Sequence, residues 1–192
     1  MLNWHEMAKE LAKTSPNETS TKGLVEVFTG DGKGKTSAAL GIALRALGHG
    51  LRVHIVYFMK GDFPYGEQKI LSELPNVTFA RFGYETFVDP ANVKQEEKEE
   101  AKQALEAARK AMCSLEYDII VLDEINVAVA WNLVDIDQVI KLIGDKPERV
   151  ELILTGRYAD SRLIELADLV TDMVKVKHPY DKGTLSRKGI DY

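Results

Sequence analysis

The rhythm of apolar positions changes near residue 23. Before it, residues 2–13 set Trp4, Ala8 and Leu11 on one stripe, which predicts a short amphipathic helix. Residues 14–22, rich in Ser and Thr and containing Pro16, predict a linker. After it, short apolar runs alternate with helical segments. Strands are predicted over residues 24–29, 53–58, 77–81, 119–123, 150–155 and 169–176. Most are nearly continuous in Val, Ile and Leu, the pattern of strands covered on both faces. Helices are predicted over residues 35–47, 65–73, 95–115, 135–143 and 160–167. The Glu- and Lys-dense stretch 94–110 carries Ala101, Ala104, Leu105, Ala108 and Met112 as an apolar stripe, so it predicts a solvated helix packed on a sheet. Alternation of this kind implies right-handed crossovers and a mostly parallel sheet. Ligands of such sheets sit at the carboxyl ends of the strands.

Composition narrows the class. The chain has 192 residues, 45% of them hydrophobic and 29% charged, which excludes a disordered or collagen-like polymer and fits one globular domain. The division expected is an N-terminal helix and linker at 1–22, a possible active-site lid, followed by a single domain at 23–192. With 25 basic against 30 acidic residues the net charge is −5, so no nucleic-acid or basic membrane-surface function is expected, and an anionic ligand must be met locally. No run of apolar residues is long enough for a membrane helix, and the N-terminus lacks the pattern of a signal peptide. The lone cysteine, Cys113, can form no internal disulfide and no Cys-based zinc cluster. A cytoplasmic location is expected.

The sharpest chemical signal is Thr29-Gly30-Asp31-Gly32-Lys33-Gly34-Lys35-Thr36-Ser37, between a predicted strand and a predicted helix. Three glycines in five residues let the backbone curl with its N–H groups inward, and the helix adds its positive end. Lys35 is then placed for the outer phosphates and the Thr36 hydroxyl for magnesium. The strict phosphate-loop spacing would put glycine at position 29, where this chain has threonine, so the loop is a variant.

Residues 117–124 end a buried-strand pattern in Asp123 and Glu124, the arrangement that brings acid to a nucleotide's magnesium. Asp123 either orders the metal's water shell or holds Thr36, with Glu124 the more exposed ligand. No Asn-Lys-x-Asp guanine-reading motif is present, and Lys33, Arg45, Lys60 and Arg157 are the basic residues available to help. The fold expected is therefore α/β, a three-layer P-loop NTPase (RecA-like) fold with a mostly parallel six-stranded sheet.

Several separated motifs together resemble the P-loop corrinoid adenosyltransferases. They are residues 29–36, Arg45 to Gly50, Phe58 to Gly61, Gly66-Glu67, Val121 to Glu124, Leu154 to Arg157, Val176 to Asp181 and Gly189 to Tyr192. The resemblance implies transfer of the 5′-deoxyadenosyl group of ATP to the cobalt of a reduced corrinoid, with release of triphosphate, in adenosylcobalamin synthesis or salvage. It implies ATP contacts at Gly30, Asp31, Gly32, Lys33, Gly34, Lys35, Thr36 and Ser37, with Arg45 and Arg157 as candidate second cations, Arg45 being otherwise a surface residue of the helix after the loop. Lys35, Thr36 and Glu124 would be catalytic, with Thr36, Asp123 and Glu124 around magnesium. It also implies a homodimer, a possible electron-donor protein, and the N-terminal segment as a cover for an active site.

The family carries an aromatic pair with a tryptophan in the loop after the third strand. Here that loop reads Phe82-Gly83-Tyr84-Glu85-Thr86-Phe87-Val88 without one, leaving Tyr84 and Phe87 as candidate corrinoid contacts. His178 opens a basic C-terminal tail that either lines the cleft mouth or is a solvated edge. No corrinoid-carrier Asp-x-His-x-x-Gly motif is present, so His5, His49, His54 and His178 are not expected as stable cobalt ligands. The competing classes are another P-loop ATPase or phosphotransferase and a non-enzymatic, ATP-gated corrinoid carrier.

Overall fold

The computed structural model describes residues 22–192; the helix expected over 2–13 lies outside them. Six strands, β1 (Val25–Thr29), β2 (Val53–Tyr57), β3 (Val77–Arg81), β4 (Ile119–Asp123), β5 (Glu151–Thr155) and β6 (Leu169–Asp172), form one sheet in the order β3-β2-β4-β5-β1-β6. Every neighbouring pair is parallel. The connecting helices are α1 (Lys35–Gly48), α2 (Gly66–Leu71), α3 (Gln95–Cys113), α4 (Ile125–Ala130), α5 (Ile136–Gly144) and α6 (Ser161–Leu166).

The continuous apolar runs serve two faces at once, because successive side chains of a strand point in opposite directions. On β4, Ile120 and Leu122 pack with Ala101, Ala104, Leu105, Ala108 and Met112 of α3, whereas Ile119 and Val121 pack with Ala39, Ala43 and Ala46 of α1. Each fully buried Leu, Ile or Met contributes about 1.5–3 kcal/mol relative to an exposed one. The helix starts are held by short-range bonds. Glu97 reaches back to the Lys94 N–H at 2.8 Å, and Asp135 and Asp160 accept from the N–H groups of Asp137 and Arg162, each at 2.8 Å.

Three local expectations are corrected. Helix α4 was not anticipated: Ile125, Asn126, Val127, Ala128 and Val129 are all buried, so this helix has no polar face to reveal its period. Strand β6 stops at Asp172 rather than at residue 176, because Met173 turns to serve the phosphate loop, accepting from the Gly32 N–H at 2.6 Å. All four residues of β6 are exposed, so the described residues do not cover this edge on both faces. Apart from these corrections, His54 lies on β2 as a satisfied strand histidine, with Nδ1 2.7 Å from the Thr78 hydroxyl.

Candidate active site

The loop after β1, the ends of β4 and β5, and the chain after β2 converge on one open cleft of about 1020 Å³. Its polar end is lined by residues 32–37 of the loop; Gly30 and Asp31, expected among the ATP contacts, precede that lining. Gly30 and Gly34 have φ of 96° and 124°, and a Cβ on Gly30 would lie 2.1 Å from the Asp172 carboxylate, so glycine is required there. Gly34 offers α1 no side-chain cap. The opening turn of that helix is thus free of the usual side-chain competitor for an anion.

Lys35 is buried, and its ammonium donates to the Gly30 and Gly32 carbonyls, both at 2.7 Å. Burial lowers its pKa. The arrangement keeps a cation folded inside the loop it would serve.

Asp123 is the hub of the acidic end. It is 1% exposed, and its Oδ1 accepts from the Thr36 hydroxyl at 2.8 Å and the Thr155 hydroxyl at 2.7 Å. Its Oδ2 accepts from the Lys60 ammonium at 2.5 Å. Of the two alternatives left by the sequence, the geometry therefore has Asp123 gripping Thr36. Thr155 also accepts from the Glu124 N–H at 3.0 Å, holding Glu124 at φ 66°, a left-handed conformation that is costly for a residue with a side chain. Burial, followed by the charge of Asp123, raises the Glu124 pKa. For Lys60, burial opposes the charge, but Asp123 more than offsets it, and the net pKa is raised.

Arg157 lies over the loop, its guanidinium 3.4 Å from the Asp31 carbonyl. Ser37 and Lys33 also line the cleft. Lys33 donates to the Ile190 carbonyl at 2.8 Å and pairs with Asp191, which brings the C-terminal tail onto the cleft instead of leaving it a solvated edge. Tyr192 meets Phe63 edge-on, with ring centroids 5.1 Å apart.

Not every expected residue arrives. Arg45 is exposed in the last turn of α1, ten positions from Lys35 and thus about 15 Å along the axis, so within this chain it does not join the phosphate loop. Tyr84 is outside the cleft as well. The backbone of its loop folds against Met59 and Gly61, and Tyr84 lines a separate small hollow with Glu97 and Glu100. Phe87 does reach the cleft, as a rim residue 93% exposed. His178 is on the cleft margin, and its Nδ1 accepts from the Tyr180 N–H at 3.2 Å, capping the turn Pro179–Lys182.

Sequence reasoning missed much of the apolar wall. Phe58, Met59, Tyr65, Val127 and Trp131 line the cleft beside the loop. Trp131 follows the unanticipated helix α4, so no periodic signal pointed to it. Among the described residues no group of three or more His, Cys, Asp or Glu side chains gathers around a metal-sized space. A hydroxyl with a nearby carboxylate instead suits magnesium, which keeps water and phosphate oxygens as most of its ligands.

The parallel sheet, its glycine loop and the Lys35–Thr36–Asp123 arrangement define a P-loop nucleotide-binding protein. The sequence model of the ATP:corrinoid adenosyltransferase BtuR/CobO/CobP family matches residues 21–192. The chain belongs to that family, a family of enzymes. It is 35% identical over 171 residues to the corrinoid adenosyltransferase of Escherichia coli K12, covering 89% of this chain and 86% of the relative. The corrinoid adenosyltransferase CobA of Salmonella typhimurium is 35% identical over 175 residues, with the same two coverages. The corrinoid adenosyltransferase of Pseudomonas aeruginosa is 33% identical over 171 residues, 89% of this chain and 84% of the relative. No helix among the described residues is long and apolar enough to cross a membrane.

Proposed function

We propose that this chain transfers the 5′-deoxyadenosyl group of ATP to the cobalt of a reduced corrinoid, with its cleft divided between a triphosphate end and a corrin end. The observation that carries this reading is the joining of a phosphate cradle, Gly32 to Ser37, to an apolar wall of Phe58, Met59, Val127 and Trp131 in one cavity.

The Co(I) centre supplies an electron pair to C5′; the Co–C5′ bond forms as the C5′–O bond breaks, and triphosphate leaves with that bond's electrons. The nucleophile belongs to the substrate, so no serine or cysteine is needed. The protein's tasks are to align C5′ with cobalt and to hold the leaving charge. Loop N–H groups and Lys35, once its ammonium turns from the loop carbonyls to the phosphates, would hold that charge through charge-assisted bonds worth about 1.5–3 kcal/mol each. Lys33 and Arg157 flank the same phosphates. Magnesium, when bound, would supply further positive charge to the triphosphate. Thr36 and Glu124 would face it, and Asp123 would order Thr36 from behind. Phe87 and His178 at the rim are the remaining corrin-side candidates.

A homodimer belongs to the same proposal, supported by the family resemblance and by the exposed edge strand β6. So do an electron-donor protein that keeps the corrinoid reduced, residues 1–22 as a cover, and a cytoplasmic location. The deciding experiment is an anaerobic mixture of protein, ATP, magnesium and chemically reduced corrinoid. A light-sensitive alkylcorrinoid and one triphosphate per turnover, identified by phosphorus NMR, are expected. ADP and orthophosphate without alkylated corrinoid would instead mark a phosphotransferase or ATPase.

A further inference from the structure

The chain after β2 is pinned where it enters the cleft. Met59 adopts a left-handed φ of 57°, and the Lys60 N–H donates to the Phe82 carbonyl at 3.0 Å. The Lys60 side chain then runs inward and is only 11% exposed. Its ammonium sits 4.7 Å from the centre of the Tyr65 ring and 5.4 Å from that of Tyr57, with Asp123 Oδ2 at 2.5 Å. The cation is thus committed to one carboxylate and two aromatic faces, while Lys35, Lys33 and Arg157 stand nearer the loop as cations for phosphate.

We propose that Lys60 is a positioning residue: by pairing with Asp123 it fixes the Thr36 hydroxyl with its proton turned away from the cleft and its lone pairs toward a bound divalent cation. A threonine hydroxyl has one proton. Donated to Asp123 at 2.8 Å, that proton leaves only acceptor capacity on the side facing the ligand. Asp123 Oδ1 accepts both the Thr36 and the Thr155 hydroxyls, and at 1% exposure water does not supply the compensation that a carboxylate so placed needs. Lys60 supplies it. The same carboxylate reaches Glu124 through Thr155, so Lys60 stabilises both groups that would face the cation.

This inference rests on the magnesium reading above, and the test separates the two. ATP binding is measured by calorimetry, with magnesium and with EDTA, for the wild-type chain, K60Q and K60R. Magnesium is expected to tighten ATP binding to the wild-type chain and to K60R. In K60Q that tightening should fall by about 10-fold, the usual effect of removing a residue that orients a metal ligand. Without metal, K60Q and wild type should agree within about twofold. Equal losses for K60Q with and without magnesium would mean a direct phosphate contact and overturn the proposal. An undiminished magnesium effect in K60Q would also overturn it, whereas no magnesium effect in the wild-type chain would instead overturn the cation reading. Should K60Q not fold, Y65L removes one aromatic partner of the ammonium and leaves every charge paired. A smaller magnesium effect is expected there, and an unchanged one refutes the role.

Discussion

Lys33 of the phosphate loop and Asp191 of the C-terminal tail form an ion pair across 158 positions of sequence. The Lys33 and Arg187 side chains hold the Asp191 carboxyl well below the usual carboxylate range. The contact makes Lys33 a residue with two possible anionic partners, the tail and a triphosphate. Asp191→Ala should free the tail, raising the rate of limited proteolysis within residues 183–192 several-fold, and should lower the KM for ATP. A tail equally protected in that variant would show that Tyr192 and Phe63 anchor it without the ion pair.

Lys35→Ala removes the ammonium that the loop keeps folded inside. A loss of about 10²–10³ in kcat/KM is expected, the range for deleting one preorganised charge-stabilising group. Corrinoid affinity should change little, since Lys35 lies at the phosphate end. Steady-state kinetics with each substrate varied in turn reads both; undiminished turnover refutes the cradle role.

Glu124 pairs a candidate function with backbone strain. Glu124→Gly and Glu124→Ala both remove the carboxylate, but only glycine relaxes the φ of 66°. The glycine variant should be more stable than the alanine variant by about 1 kcal/mol in urea unfolding, with both inactive in transfer. Equal stabilities would show that the neighbouring contacts, not the torsion, set the cost.

At the opposite end of the sheet, burial, a hydrogen bond with Glu151 and then the Glu151 charge push the Glu26 carboxyl up from 4.5 to about 7. The native state therefore holds this proton more tightly than the unfolded chain. The stabilisation is fully present below about pH 4.5 and is lost as pH rises through about 7. Asp118, held low by Arg52, opposes this only in more acidic solution. Glu26→Gln should match the wild-type chain near pH 5 and exceed its stability near pH 8. Parallel pH profiles for the two proteins would contradict the assignment.

Trp131 offers an optical check on the apolar wall. With Trp4→Phe it is the chain's only tryptophan. Its emission should fall on adding corrinoid and change little with ATP alone; emission unaffected by corrinoid would place the ring elsewhere.

The order of strands and helices, the phosphate loop and the Asp123–Glu124 pair could all be read from the sequence, because each depends on local pattern: periodicity, glycine spacing and residues adjacent in the chain. Helix α4 could not, since a helix buried all round has no amphipathic period, and Trp131 was lost with it. Arg45 and Tyr84 show the opposite limit. Arg45 belongs to a motif that resembles the family's and Tyr84 to the loop that departs from it, but a helix axis carries the first away from the cleft and a folded-back loop turns the second aside. Only the tertiary structure brought Lys60, Thr36 and Thr155 onto one carboxylate and laid the tail on Lys33. The sheet order, placing β5 between β4 and β1, decides which side chains meet, and no local rule of propensity or spacing contains that order.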